Sequence, residues 1–315
     1  MIEVAVVGCG TIGRAHALAW SEIKEVKLGY LIDLNINRVK KLSSEVNAIA
    51  LSDISDIPNS TKIVSVATPP SSHFSIVKKL LSMNKHVFCE KPLTTTYKEG
   101  RILEKIALQK GLKLGVGFKM RYEPIFIKAK QLIGKLGRIY QVQTHKIQSI
   151  PNKPWISETG AMLELSVHDF DLVHFILNVK PRKIKSVLFS KRLGWEKPDG
   201  FQIEILYEKG IMGSLCGLYT ENITWTGRDF SMWIAGENGY LQVDRFDRIV
   251  LHTQKIEEFK FDINHSPNTF ILELKEFLDC VIHNKKEPIT PEDANLTTWI
   301  VCESERMADD RNIIY

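Results

Sequence analysis

The sequence predicts an α/β protein in two parts. A doubly wound parallel sheet comes first, and an α+β domain with a mostly antiparallel open sheet follows. Three observations carry this expectation. Up to about Val116, short apolar runs alternate with amphipathic segments about a dozen residues long, the pattern of a parallel sheet with crossover helices. A glycine-rich turn, Gly8-Cys9-Gly10-Thr11-Ile12-Gly13, joins the first apolar run to the first helical segment. Past Tyr122 strand-like runs follow one another with only turns between them, as consecutive hairpins do.

In chain order, Ile2 to Val7 reads as a buried strand and Ile12 to Ile23 as a helix. Val26 to Ile32 is a second strand, Asn35 to Val46 a helix with Val39, Leu42 and Val46 on one face, and Ala48 to Leu51 a short third strand. Ile63 to Ala67 is a buried strand that Thr68-Pro69-Pro70 must end, because proline cannot continue a ladder. A helix over Ser72 to Met83, a strand over His86 to Cys89, a helix over Tyr97 to Gln109 and a strand over Lys113 to Val116 complete the first part. In the second part, a helix over Pro124 to Ile133 precedes a strand over Ile139 to Thr144. A long loop, Gln148 to Thr159, then leads to a single helix over Ala161 to Leu177. Strands are expected over Ile184 to Leu188, Phe201 to Tyr207, Ile211 to Leu218, Phe230 to Ile234, Tyr240 to Val243 and Ile249 to His252. Turns are expected at Glu208-Lys209-Gly210 and Gly236-Glu237-Asn238-Gly239. Helices over Thr269 to Asn284 and Pro291 to Met307 close the chain before a short extended tail. The expected domains are 1–120 and 121–315.

Bulk properties exclude several classes. At 315 residues, 44% apolar and 25% charged, the chain can bury one large core or two ordinary ones. No apolar run approaches the ~20 residues of a membrane span. The chain opens directly on an apolar strand with no basic segment before it, which argues against a secretory signal and for the cytoplasm. A net charge of +5 is modest, and the densest basic stretch, Lys180 to Lys185, reads as a solvated approach to an edge strand rather than a nucleic-acid surface. The five cysteines lack paired spacing and read as reduced, mostly buried residues. The sequons at Asn222 and Asn295 then carry no meaning. No histidine or cysteine pair has metal-ligand spacing, so no metal site is expected.

The glycine turn is a cradle for a pyrophosphate. Gly8 allows the tight turn, Gly10 lets the backbone approach phosphate, and Gly13 lets the helix pack on the strand. Thr11 and Ile12 lie at the helix start, whose N–H groups and partial positive charge favour an anion. Asp33, 20 residues past Gly13 and at the end of the second strand, suits hydrogen bonding to adenosine ribose hydroxyls. Ligands of such sheets bind beyond the carboxyl ends of the strands, so Gly8, Asp33, Thr68, Glu90 and Gly117 are expected along one edge. His73 follows Thr68-Pro69-Pro70 and either approaches the cofactor or caps its helix. His16 is expected to be packed in the first helix.

Two further stretches carry chemistry. In Glu90-Lys91-Pro92, a lysine at a strand end beside a cofactor can donate to a reacting oxygen, and the proline helps to aim it. On one continuous helix, Glu164, His168 and Asp171 would share a face. Histidine titrates near neutrality and suits proton transfer, with a carboxylate one turn away to orient it.

Taken in order, these stretches resemble the oxidoreductases grouped as glucose–fructose oxidoreductase, inositol dehydrogenase and MocA. The resemblance rests on Gly8 to Gly13, Asp33, Ala67 to His73, Glu90-Lys91-Pro92, Gly117 to Tyr122, Trp155 before Gly160, the Glu164/His168/Asp171 segment, and Pro288 to Asp293. It implies a Rossmann domain over 1–120 that binds NAD or NADP. It also implies a substrate-binding and oligomerisation domain over 121–315, whose open sheet would form a homodimer or homotetramer. Lys91 matches the family's catalytic lysine and His168 its acid/base histidine. Thr68, Pro69, His73, Glu90 and Lys91 would line the cofactor. Asp33 favours NAD, while Arg38 could stack on adenine or help a 2′-phosphate, which leaves NADP open. Glu164, Asp171, Arg121, Lys119 and Trp155 would meet the substrate, with Asp293 a further candidate. Glu164 stands where the family usually has aspartate, and its extra methylene carries the carboxylate further out or into another rotamer. The lead-in to this segment is also reduced to Gly160-Ala161.

The implied reaction is hydride transfer between the nicotinamide and a secondary carbinol or ketone of a sugar, polyol or sugar derivative bound between the domains. His168 would take the proton while Lys91 holds the oxygen. Two alternatives stay open: reduction of another carbonyl or imine on the same fold, or a nucleotide-bound regulatory protein without turnover.

Overall fold

The turn at Gly8 sits where the first strand hands over to the first helix, and the rest of the N-terminal sheet is laid beside it. The computed structural model describes residues 1–221, 229–308 and 313–314. The chain forms two compact units, Met1–Lys119 with Asn268–Asn295, and Met120–Pro267 with Leu296–Tyr315.

In the first unit, β1 (Ile2–Val7), α1 (Thr11–Glu22), β2 (Val26–Ile32), α2 (Ile36–Val46), β3 (Ile49–Leu51), β4 (Ile63–Val66), α3 (Pro70–Ser82), β5 (His86–Glu90), α4 (Tyr97–Lys110) and β6 (Leu114–Gly117) alternate as expected. The six strands are parallel and ordered β3-β2-β1-β4-β5-β6. Local chemistry sets the helix ends. Asn35 caps α2 by accepting from the Arg38 amide at 3.1 Å, and α2 ends at Asn47 in the left-handed region. Thr96 accepts from the Glu99 amide at 3.3 Å, and α4 ends at Gly111 with φ of 64°. The sheet is buried on both faces, so β1, β4 and β5 are nearly continuous apolar runs. Trp20 of α1 is fully buried against it and donates to Ser65 Oγ at 2.8 Å.

One late element also belongs to this unit. Helix α8 (Thr269–Ile282) contributes Leu274, Phe277 and Leu278 to the same core as Val4, Trp20 and Leu31. The reading of 121–315 as one domain had no local signal for this, because an amphipathic helix does not reveal which core its apolar face joins. The unit boundary falls inside α9 (Pro291–Met307).

In the second unit, α5 (Pro124–Leu132), β7 (Ile139–Ser149), α6 (Ile156–Gly160) and α7 (Val167–Leu177) precede a run of strands. These are β8 (Pro181–Ser190), β9 (Gly200–Tyr207), β10 (Met212–Thr220), β11 (Phe230–Gly236), β12 (Gly239–Asp244), β13 (Arg248–His252) and β14 (Ile256–Lys260). With β15 (Ile313–Ile314) they form a nine-stranded sheet ordered β14-β13-β12-β11-β7-β10-β9-β8-β15. All pairings are antiparallel except β7 with β10 and β8 with β15. The turns over 208–210 and 236–239 close the β9–β10 and β11–β12 hairpins, as expected. Along β10, alternate residues are buried, and one sheet face carries the core.

Three expectations give way here. The segment over 148–159 is less of a loop than predicted, since β7 runs to Ser149 and α6 begins at Ile156. Strand β14 was not anticipated, because Ile-Glu-Glu-Phe-Lys is too polar to stand out as a strand. The continuous helix over Ala161 to Leu177 is broken. Gly160 has φ of 67°, residues Ala161–Leu165 form a wide turn closed by the Ser166 amide to the Ala161 carbonyl at 3.1 Å, and α7 starts only at Val167. Glu164 is therefore not one α-helical turn from His168, although His168 and Asp171 do share α7. The Asn222 sequon lies outside the described residues, and Asn295 is buried.

Candidate active site

The glycine turn fits a dinucleotide. Gly8 has φ of 91°, and a Cβ there would meet the Ala67 carbonyl oxygen at 2.6 Å. A Cβ on Gly13 would overlap the Gly8 carbonyl oxygen, whereas one on Gly10 would meet nothing within 4 Å. The first two positions are closed by the protein itself, and the third faces open space that a phosphate can approach. No side chain among the described residues caps α1, and the amides of Thr11, Ile12 and Gly13 precede the first intrahelical bond, Arg14 N–H to the Gly10 carbonyl at 2.8 Å. Asp33 is drawn to the same turn. Its Oδ2 accepts the Cys9 amide at 2.7 Å and lies 3.4 Å from Arg38 Nη1, while its Oδ1 accepts the Asn35 amide at 2.8 Å. Burial and the Asp33 charge push the Cys9 thiol up to about 12, against the pull of Arg38, so this cysteine stays protonated at neutral pH.

Thr68 and Pro69 follow β4, and Glu90 ends the neighbouring β5 with Lys91 directly after it, at the same sheet edge as Gly8 and Asp33. His73 is fully buried between these loops, with Nδ1 2.7 Å from the Pro92 carbonyl and Nε2 2.9 Å from the Thr68 carbonyl. Carbonyl oxygens only accept, so each ring nitrogen that bonds there must carry a hydrogen. His73 thus braces the cofactor-side loops from inside. Lys91 is partly exposed, and the Lys91–Pro92 peptide is cis.

Glu90 is held tightly. Its Oε1 lies 3.0 Å from His16 Nε2 and its Oε2 accepts the Lys91 amide at 3.1 Å. Burial pushes its carboxyl up, but the His16 hydrogen bond and the charges of His16, Lys91 and Lys119 outweigh this and hold it below the usual carboxylate range. Lys119 also lies over the Phe270 ring, 4.6 Å from its centroid.

In the second unit, His168 is partly exposed on α7. Asp171, one turn on, is buried and clamped by Arg121 through two bonds, Nε to Oδ2 at 2.9 Å and Nη2 to Oδ1 at 2.6 Å. The guanidinium in turn lies 5.4 Å from the Phe175 ring centroid. Glu164 pairs with Lys153 from the segment before α6, and the Lys153 ammonium sits 6.0 Å from the Trp155 ring. Asp293 and Thr290 exchange side-chain bonds to each other's amides at 3.0 and 3.1 Å, which makes Asp293 part of the α9 cap.

Lys153 and Glu273 escaped the sequence reading, and His16 was given only a packing role. Lys153 had no signal, since a lysine in a proline-rich loop is ordinary. Glu273 had one: a lone carboxylate in the apolar face of α8, beside Thr269, Leu274 and Phe277. His16 falls three residues after Gly13, which turns it inward with the close-packed side of α1.

Comparison with known proteins bears on the family and the fold. Residues 2–118 match the family described as an oxidoreductase family with an NAD-binding Rossmann fold, and residues 126–242 match the GFO/IDH/MocA C-terminal domain. The chain is 24% identical to scyllo-inositol 2-dehydrogenase (NAD(+)) of Bacillus subtilis, over 94% of this chain and 90% of that one. The solved UDP-N-acetylglucosamine 3-dehydrogenase of Acidithiobacillus ferrooxidans superposes with a TM-score of 0.84 at 19% identity, covering 96% of each chain. GenD2 from gentamicin A biosynthesis, solved in complex with NAD, superposes with a TM-score of 0.86 at 20% identity over 98% of this chain and 95% of that one. At such identities the structural likeness establishes the fold, and the two family matches fall one in each unit. The chain belongs to the glucose–fructose oxidoreductase, inositol dehydrogenase and MocA family of NAD-binding oxidoreductases.

Proposed function

We propose that this protein is an NAD-dependent dehydrogenase acting on a secondary carbinol of a polyol, sugar or sugar derivative, with Lys91 and His168 as its catalytic residues. The observation that carries the reading is the glycine turn, open only at Gly10, at the same sheet edge as Lys91. Bound NAD supplies the hydride acceptor. The α1 amides hold its phosphates, and Asp33 accepts from the ribose hydroxyls, where a 2′-phosphate would meet a carboxylate already bonded to the Cys9 amide. Thr68, Pro69, Glu90 and Lys91 line the cofactor beyond β4 and β5, with His73 bracing that wall.

Lys91 donates to the substrate oxygen and stabilises the charge that develops there as hydride leaves. His168 removes the hydroxyl proton. Arg121 and Asp171 neutralise each other and stiffen α7 around His168, so their service to the substrate is indirect. Glu164, with Lys153 and Trp155, and Lys119 are the groups we assign to substrate hydroxyls. The relatives' names, inositol and nucleotide-sugar dehydrogenases, support this substrate class. Exposed Tyr140, Leu188, Met212 and Trp233 on the second sheet support self-association through that sheet as a homodimer or homotetramer. No helix among the described residues is long and apolar enough to cross a membrane.

A panel of inositols, aldoses, sugar phosphates and nucleotide sugars, followed by nicotinamide absorbance with NAD and with NADP, tests the reading. NAD reduction by at least one cyclic polyol or sugar is expected. NAD binding without turnover of any member, in either direction, would favour a regulatory role.

A further inference from the structure

Behind Glu90 the first unit buries more ionisable chemistry than the reaction uses. Glu273 of α8 is 1% exposed, and neither carboxylate oxygen has a hydrogen-bond partner among the described residues. His16 of α1 is fully buried, and its Nδ1 likewise has none. One ligand-type atom from each of His16, Glu90 and Glu273 lies within 4.8 Å of the other two. The surrounding wall is aromatic, with the Phe88 and Phe270 rings 5.7 and 5.5 Å from the imidazole. A buried polar group with no partner needs a proton, a water or an ion to account for it.

We propose that His16, Glu90 and Glu273 form a buried proton-holding cluster in which Glu273 is a neutral acid, Glu90 carries the single negative charge, and His16 acts as a positioning residue for the Glu90–Lys91 turn. The inference deepens the proposed function and rests on Lys91 being catalytic for its kinetic consequence. Charge accounting favours a proton over a metal ion. Two ionised carboxylates in one dry pocket repel strongly, and burial together with the Glu90 charge pushes the Glu273 carboxyl well up, against the pull of Lys119. The Lys91 and Lys119 ammonium groups already act on Glu90 from β5 and from the segment after β6, so a dication would add to existing positive charge.

The bonding order follows from donor and acceptor types. With Glu90 ionised, His16 Nε2–H donates to Oε1, and Oε2 takes the Lys91 amide. His16 Nδ1 and both Glu273 oxygens have no hydrogen-bond partner among the described residues, and a proton on Glu273 removes the second negative charge from this pocket. The titratable groups facing the cluster are His16 from α1, Cys89, Glu90 and Lys91 from the end of β5, Lys119, and Glu273 from α8. The Cys89 thiol is itself pushed well up by burial and then by the Glu90 charge, and it stays neutral.

Infrared difference spectroscopy of the intact protein, wild type against Glu273→Gln, tests the protonation state. A carboxylic-acid C=O stretch is expected at neutral pH in the wild type and absent in the variant. Loss of a band from an ionised carboxylate instead, or a stoichiometric divalent ion that a chelator removes, would overturn the proposal. Should Glu273→Gln fail to fold, the wild-type band alone is followed into alkaline pH, and its absence at pH 7 has the same meaning. For positioning, His16→Leu is expected to lower kcat about tenfold with NAD affinity changed less than about threefold. His16→Gln, which keeps an N–H toward Glu90, should restore most of that loss. Equal losses in both variants, or equal loss in kcat and NAD affinity, would contradict a positioning role. The infrared result does not depend on turnover, so an active Lys91→Ala enzyme would sink the proposed function and leave the protonated Glu273 standing.

Discussion

The Arg121–Asp171 pair separates a structural role from a substrate-binding one, and its strength can be worked from geometry. The two bonds, at 2.9 and 2.6 Å, make a bidentate fork, and both residues are buried. Replacing Arg121 by Met takes both of these bonds from a buried carboxylate, which costs about 3–5 kcal/mol. Asp171→Leu takes the same two bonds from the guanidinium over Phe175 and costs a similar amount. The double variant replaces the pair by apolar volume and recovers much of the loss, because desolvation of both charges disappears with them. A double-mutant cycle in urea is therefore expected to give a coupling energy of about 2 kcal/mol or more, with each single variant lowering kcat through a loosened α7. Additive losses with coupling below about 0.5 kcal/mol, accompanied by a raised KM for substrate, would refute the reasoning and return both side chains to the substrate.

Three other outcomes follow from particular contacts. Gly10→Ala should fold with wild-type stability, since its Cβ meets nothing within 4 Å, yet lose at least about tenfold in NAD affinity by calorimetry; unaltered NAD binding would remove the phosphate from Gly10. Lys153→Met removes one ion pair from Glu164, a bond to a charged group worth about 1.5–3 kcal/mol, and should raise KM for substrate about tenfold or more at little cost in kcat; unchanged KM would place the pair outside substrate binding. Because the Glu273 carboxyl is raised in the folded chain, the unfolded chain loses that proton first as pH rises. Its stabilising contribution is complete below the unfolded carboxyl range and declines between the unfolded and folded values, with a limiting slope of about 1.4 kcal/mol per pH unit. Urea midpoints from pH 5 to pH 8 should fall less steeply for Glu273→Gln than for wild type; parallel curves would contradict a raised carboxyl.

The N-terminal sheet was legible because its strands are buried on both faces and its helices are bounded by strong local signals, among them Asn35, Thr96 and Gly111. The cofactor edge was legible for the same reason: a glycine turn and the ends of β2, β4 and β5 fall at one edge whenever the sheet is parallel. Tertiary choices were not legible. The apolar face of α8 fits either core, and only packing assigns it to Trp20 and Val4. The broken segment before α7 was missed because Glu164, His168 and Asp171 carry ideal helical spacing, while the break depends on Gly160 adopting positive φ. Pairings such as Lys153 with Glu164, across a break in helix, and Arg121 with Asp171, 50 positions apart, leave no trace in local pattern. His16 was read only as a packed residue, because the carboxylate it meets is 74 positions away.

The most direct test of the central claim is turnover by Lys91→Ala. With the best substrate from the panel and saturating NAD, the variant is expected still to bind NAD and to lose kcat by about 100-fold or more, the scale of a lost oxyanion donor. Wild-type kcat in this variant would contradict the assignment of Lys91, and with it the account of how this enzyme moves hydride.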